Sequence, residues 1–404
     1  MKSLIVCNPP TWGGGVQSMI EDIYLIMEKW KLNPHLLFWS DNKVPVGSLF
    51  DHSRPLYVFG MRSIMVPKLP FLDFNKYPDL HYLWFALVSK LIIKKFDLHI
   101  GVGAVSLVAL PLIYSNIPFA CWVATVYRDE LEGKIYSLDG DIPAQSLLHG
   151  NHWKNVEKQE KLVYQKANII LPLSSHTAQK IRKLCSNSEI NLGDTLTSPI
   201  NLSVFHANDR KNPSQQSQKI ILCVARINDP RKNIQLLLHA FKIATDEIQK
   251  LHLQLVGEMA SENILNLCSK LGISHKVTIV DKLPRREIGN LYREASLFVL
   301  PSMQEGLGIV TMEAMACGLP IISTYCGGPE FLIQESKAGV LVKSNPQDMA
   351  DAIIWLLHDT KSWKSMSLNG TTYAQIHLGH SSFEKNLSNA LKSVFPEVIW
   401  PEHE

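Results

Sequence analysis

The chain has 404 residues, 46% hydrophobic and 19% charged, with a formal net charge of +3. This balance excludes a disordered or collagen-like chain, and so small a net charge gives no reason to expect a nucleic-acid partner. The length exceeds what one hydrophobic core usually organises, so two domains are expected.

The first residues, 3–7, read as a strand; the apolar run is too short for a secretory signal and leads into Pro9-Pro10 and the triplet Gly13, Gly14, Gly15. Further strands are expected at 35–39, 98–102, 119–124, 168–173 and 195–200, joined by helices such as 15–30, 82–95 and 152–167. The stretch 100–127 carries no charge and is long enough to span a bilayer. Pro111, Ser115-Asn116 and Pro118 interrupt it, so it reads as a buried helix over 104–113, a turn and a buried strand. The helix 82–95 is apolar and aromatic with Lys90, Lys94 and Lys95 near one end. It reads as a core helix with a solvated lysine end, or as a peripheral membrane contact on an anionic bilayer.

In the second half, strands are expected at 220–225, 252–256, 277–280, 297–300, 320–323 and 339–342, with helices between them and helical patterns at 347–357, 361–374 and 382–394. Strand-length apolar runs alternating with helix-period segments indicate an α/β chain with parallel sheets and crossover helices. The polar stretch 206–218 carries Pro, Ser and Asn without apolar periodicity and reads as the linker. The domains are accordingly placed at 1–205 and 206–379, followed by a terminal helix in 380–404. Seven scattered cysteines with no Cys-x-x-Cys pair point to a reduced, cytoplasmic setting.

Ligands of open parallel sheets bind beyond the carboxyl ends of the strands, where helix N-termini face anions. That rule selects Gly14 and Gly15, Thr125, Ser174-Ser175, Arg226, Gly257 and Glu305. The Gly triplet leaves backbone N–H groups open to a phosphate, although a plain tight turn also accounts for it. Gly101-Val-Gly103 lacks the third glycine of a dinucleotide fingerprint and reads as close helix–strand packing. Arg226 and Lys232 precede a helix starting near Asn233, and two cations at a helix N-terminus suit a diphosphate; alone they read equally as a solvated basic loop, with Arg231 as a bystander. Glu305 and Glu313 flank Gly306, Leu307, Gly308 and Ile309. If all eight steps between them are helical, the carboxylates lie ~12 Å apart along the axis and ~80° around it, a separation suited to the two ends of a sugar nucleotide. Carboxylates accept paired hydrogen bonds from vicinal hydroxyls, and the intervening amides would meet the phosphates. Glu313 sits in an otherwise apolar stretch, so burial with a partner is expected. Asp139-Gly-Asp141 reads as a turn rather than a metal-binding pair, and the histidines show no ligand spacing, so no metal is expected.

VARINDPRKN at 224–233, LPSMQEGLGIVTMEAMACGLPIIST at 300–324 and CGGPEFL at 326–332, followed by AGVLV at 338–342, resemble the retaining glycosyltransferases of family 4. GGGVQSMIEDI at 13–23, ANIILPLSSHTAQKI at 167–181 and SPINLSVF at 198–205 look like that family's N-terminal landmarks. The resemblance implies the GT-B fold, two Rossmann-like domains whose parallel sheets face an interdomain cleft. It also implies an acceptor-binding first domain, a donor-binding second domain and a terminal helix returning to the first. Arg226 and Lys232 would then bind the donor pyrophosphate, Glu313 the ribose hydroxyls and Glu305 the transferred sugar, with Gly14 and Gly15 beside the phosphates. The family needs no cofactor beyond its nucleoside-diphosphate sugar and generally no catalytic metal. In its proposed chemistry, departure and attack occur on one face of the sugar, and the leaving diphosphate helps deprotonate the acceptor. Many relatives carry His-Asp where this chain reads Thr125-Val-Tyr-Arg-Asp129, which puts a threonine hydroxyl near the donor sugar.

The resulting expectation is a retaining, metal-independent transferase acting on a glycan, lipid-linked or small-molecule acceptor selected by loops in 45–79 and 128–151. An inactive sugar-nucleotide-binding partner subunit and a sugar-nucleotide epimerase are the alternatives.

Overall fold

The computed structural model describes residues 1–10, 14–40, 56–67, 78–137, 151–208, 216–398 and 400. The chain divides into two compact units, one formed by Met1–Ser198 with Phe383–Glu404 and the other by Pro199–Ser382.

The first unit holds a seven-stranded sheet in the order β3-β4-β2-β1-β5-β6-β7. Its strands are β1 (Ser3–Cys7), β2 (Pro34–Ser40), β3 (Leu56–Val58), β4 (Met61–Pro67), β5 (Leu98–Gly103), β6 (Ala120–Val123) and β7 (Ile169–Pro172). Every pairing is parallel except the β3–β4 hairpin. All residues of β1, β5, β6 and β7 are buried, as a sheet covered on both faces requires, which explains why these strands read as unbroken apolar runs. The helices are α1 (Gly14–Lys29), α2 (Pro78–Ile93), α3 (Leu110–Tyr114), α4 (Tyr127–Ser137), α5 (Asn151–Lys166) and α6 (Ser175–Leu184). Ser174 starts α6 by accepting the Thr177 N–H at 3.2 Å. Trp39, Phe85, Phe119, Val163 and Tyr164 belong to one buried cluster of this core.

The second unit holds a six-stranded, wholly parallel sheet in the order β10-β9-β8-β11-β12-β13. Its strands are β8 (Lys219–Val224), β9 (Leu251–Val256), β10 (Val277–Val280), β11 (Leu297–Leu300), β12 (Ile321–Thr324) and β13 (Gly339–Val342). Between and after them lie α7 (Ile234–Glu247), α8 (Glu262–Lys270), α9 (Arg285–Glu294), α10 (Ile309–Ala316), α11 (Gly328–Ser336), α12 (Pro346–His358) and α13 (Thr360–His377). Leu237, Phe241 and Ile353 are fully buried here, and Trp363 donates its indole N–H to the Ser296 carbonyl at 2.8 Å. The last helix, α14 (His380–Lys392), contains the change of unit: from Phe383 onward the chain belongs to the first unit, where Phe383 lies 5.2 Å from Trp122 and Glu384 accepts from Lys29 and Trp30.

The two-unit α/β architecture agrees with the alternation in the sequence, and four details differ. The stretch 195–200 forms no strand. Leu192 bridges to Ile170 and the Leu196 N–H reaches Pro172, but the Leu196 carbonyl accepts from the Trp122 indole and Pro199 has no N–H to extend the ladder. The units divide at Ser198/Pro199, ahead of the polar stretch, because Phe205 packs edge-on against Tyr292 and the Val204 carbonyl accepts from Arg293. The helix over 104–113 is two pieces, a 3-10 turn at Ser106–Ala109 and then α3. The loops in 45–79 and 128–151 include the β3–β4 hairpin and most of α4 among their described residues; Asp139-Gly-Asp141, Gly13 and the middle of the linker fall outside them.

Candidate active site

In each sheet the strand order reverses about one strand. In the second unit β8 stands between β9, which follows it in sequence, and β11, so the crevice at their carboxyl ends is a topological switch point. The chain after β8 carries Arg226 and Lys232, and the chain after β11 carries Ser302 to Gly308. The sheet order therefore brings two segments far apart in sequence to one edge.

The Lys232 ammonium and Glu305 Oε1 are 2.7 Å apart, and the Ser302 hydroxyl donates to the same oxygen at 2.7 Å. Both charged side chains are mostly buried, 15% and 12% exposed. Main-chain bonds hold Glu305 from the other side: its N–H donates to the Cys326 carbonyl at 2.6 Å and its own carbonyl accepts the Gly328 N–H at 3.1 Å. Lys232 closes a 3-10 turn over Pro230–Lys232 that Asp229 caps. Asp229 lies 2.9 Å from the Arg226 guanidinium and 2.8 Å from that of Arg231. Partial burial works against its ionisation, but the hydrogen bonds and charges of Arg231 and Arg226 outweigh that and hold its pKa below the usual value. Arg231 is a bracket rather than a ligand: its carbonyl also accepts the Met303 N–H at 2.7 Å, tying the β8 loop to the β11 loop. Arg226 keeps 67% of its side chain exposed, so its guanidinium remains open to an anion.

Glu305 lies before the helix, not in it. Gly308 has φ +71° and turns the chain into α10, so the all-helical separation of Glu305 and Glu313 does not apply. The loop is compressed against α11: a Cβ on Gly308 would lie 2.6 Å from Pro329 Cγ, and one on Gly328 would lie 2.1 Å from the Gly306 carbonyl oxygen. We expect Gly328→Ala to force the two loops apart and lower the stability of this unit by roughly 2–3 kcal/mol, read by urea unfolding; an unchanged midpoint would contradict the packing.

Glu313 is 6% exposed, in the middle of α10. Desolvation raises its pKa to about 7, although the Arg285 charge and the Tyr292 hydrogen bond pull the other way. The Tyr292 hydroxyl lies 3.1 Å from both Glu313 Oε2 and the Val310 carbonyl, so its single proton serves one of two acceptors. A protonated Glu313 completes this chain by donating to Tyr292. Leu307 is buried beside the loop, while Ile309 opens α10 with its N-terminal amides.

In the first unit the reversal is at β1. Asn8, which follows it, is buried, and its Oδ1 accepts the Ala104 N–H at 2.9 Å, linking the ends of β1 and β5. Gly14 and Gly15 open α1 after this strand. Thr125 follows β6, is 9% exposed and donates its N–H to the Ala104 carbonyl at 2.8 Å. The turn after it is fixed from α5: the buried Glu160 accepts the Tyr127 N–H at 3.0 and 3.2 Å and the Tyr164 hydroxyl at 3.2 Å. Burial raises the Glu160 pKa to about 8.

Four supporting residues have weak or no sequence signals. Ser302 lies three residues before Glu305, and a hydroxyl at that offset was a readable cue. Tyr292, Asn8 and Glu160 act on groups 21, 96 and 33 residues away, and nothing local to them marks the contact.

Residues 204–373 match the family model "Glycosyl transferases group 1". Among curated proteins the chain is similar to the D-inositol 3-phosphate glycosyltransferase of Segniliparus rotundus, 28% identical over 211 residues, which is 50% of this chain and 46% of that one. It is similar to the same-named protein of Corynebacterium diphtheriae at 33% over 138 residues, 34% of this chain and 31% of the relative. The matches thus span less than half the length of these relatives. Among solved structures, the sucrose-phosphate synthase of Thermosynechococcus elongatus shares the fold with a TM-score of 0.75 at 18% identity, over 98% of this chain and 100% of that one. The Anabaena protein HepE, solved in complex with UDP, does so with a TM-score of 0.73 at 16% identity, over 97% of this chain and 100% of that one. Residues 204–373 are thus similar to the group 1 glycosyltransferases, and the fold of the chain is of the GT-B type.

Proposed function

We propose that the chain is a retaining, metal-independent glycosyltransferase of the cytoplasm that moves a sugar from a nucleoside-diphosphate sugar to a hydroxyl of a glycan, lipid-linked or small-molecule acceptor. The observation that carries this reading is the Lys232–Glu305 pair, held by Ser302 at the switch point of the second sheet. A cation and a carboxylate presented together in one crevice match a ligand with a diphosphate at one side and sugar hydroxyls at the other. Arg226 and Lys232 are assigned to the diphosphate, the amides from Gly306 to Ile309 to its oxygens, Glu305 to the transferred sugar and Glu313 to the ribose. Gly14, Gly15 and Thr125 are assigned to the donor on the family resemblance.

In the reaction the bond between the anomeric carbon and the diphosphate oxygen breaks, and its electron pair leaves with the diphosphate. The acceptor oxygen forms the new bond on the same face of the sugar, and its proton passes to the departing diphosphate. Lys232 and Arg226 stabilise the charge that builds on the leaving group.

The test is a thermal-shift screen of UDP-, GDP- and ADP-sugars, followed by transfer assays with the stabilising donor and assignment of the product's anomeric configuration. We expect one donor class to raise the melting temperature and a product of retained configuration to form. Binding without turnover would favour the partner-subunit reading, and a changed sugar configuration in recovered donor would favour an epimerase.

A further inference from the structure

On a covered α/β sheet, a helix normally turns one apolar face inward and a charged face outward. Helix α5 does this: Lys154 and Lys158 point away from buried Val156, Glu160, Val163 and Tyr164. Helix α2 does not. Its inner face is buried Tyr82, Phe85, Ala86, Ser89, Ile92 and Ile93, packed in part on α3. Its outer face is Leu80, Leu87 and Leu91, exposed to 41%, 55% and 70%. At 100° per residue these three leucines fall within ~40° around the axis and form one strip ~16 Å long.

Exposed Lys90, Lys94 and Lys95 flank the end of that strip, and the one acidic residue of α2, Asp79, is buried. From the geometry of this face we infer that it docks on an anionic lipid bilayer, with the leucines entering the headgroup boundary and the lysines meeting lipid phosphates. Lysine stems can lie along the apolar zone while their ammonium groups stay at the phosphate level. A second copy of the chain is a poorer occupant. Parallel apposition of two α2 helices would set lysines against lysines, and antiparallel apposition would set them against the positive end of the partner helix. Among the described residues no helix is long and apolar enough to cross a membrane, so the contact is peripheral.

The full chain should be floated with vesicles of phosphatidylcholine alone and of phosphatidylcholine with about a third phosphatidylglycerol. We expect flotation with the anionic vesicles only, weakened by salt. Lys90→Gln/Lys94→Gln/Lys95→Gln should weaken it about a hundredfold, at roughly 1 kcal/mol per lysine. Leu87→Gln/Leu91→Gln should weaken it tenfold or more, with both variants keeping the parent melting temperature because the altered side chains are exposed. Absence of binding to anionic vesicles, or binding that both variants leave intact, would overturn the proposal. So would a dimer in light scattering that the leucine variant dissolves while vesicle binding is absent. The lysine variant leaves the apolar strip untouched, so it decides the matter even if the leucine variant folds poorly.

Discussion

Lys232→Met should lower kcat/KM by about three orders of magnitude and also destabilise the chain by roughly 2–3 kcal/mol. The first effect follows from loss of the charge that the proposed function assigns to the leaving diphosphate. The second follows from Glu305, which is 12% exposed and would be left in its pocket with only the Ser302 hydroxyl for Oε1. Its remaining exposure keeps the penalty below that of a fully buried carboxylate. Lys232→Met/Glu305→Gln should recover most of the lost stability, since a neutral amide needs no counter-charge, and should recover no transfer. Urea unfolding and steady-state kinetics on the three proteins separate the two effects. A Lys232→Met protein with near-parent turnover would remove the diphosphate assignment, and a double variant no more stable than the single would remove the ion pair.

Glu313→Gln should sharply lower transfer and stabilise the fold at alkaline pH. With a folded pKa of about 7 against an ordinary 4.5, Glu313 holds its proton more tightly in the native state than in the unfolded one. Stability from this group is therefore complete below pH 4.5 and is lost as pH rises to about 7, by on the order of 3 kcal/mol. Glu160, raised to about 8, acts in the same direction over a slightly wider window. Removing the Glu313 carboxyl should flatten part of that slope, while the amide keeps the site filled. Activity should fall a hundredfold or more, because a neutral amide accepts hydroxyl hydrogen bonds less strongly than a carboxylate. Melting temperatures from pH 4.5 to 8.5 for both proteins would check the linkage. Parallel pH profiles, or a variant with full activity, would count against it.

Much of the fold was legible because apolar runs buried on both faces are continuous, as in β1 and β11, and because helices such as α7 separate them. The β3–β4 hairpin was not legible: β3 spans three residues, Leu56–Val58, too few for a periodic signal. Helix α4 escaped notice because its charged sequence resembles a loop, and a cap from Glu160 on α5 fixes its start. The cations and carboxylates of the second unit were readable because they follow apolar strands and border glycines. Their supports were not: Tyr292 and Glu313 meet only because α9 and α10 pack side by side.

Sequence alone settled what is local: strand and helix periodicity and the chemical character of the loops after β8 and β11. Tertiary structure decided what depends on neighbours. Parallel crossovers leave strand order open, so only the placement of β8 beside β11 joins Lys232 to Glu305 across 73 residues. An apolar helix gives no hint of which side faces inward, so only packing reveals that α2 turns three leucines outward. A carboxylate's charge state, as at Glu313, belongs to the surroundings that desolvate it, and those surroundings exist only once the chain has folded.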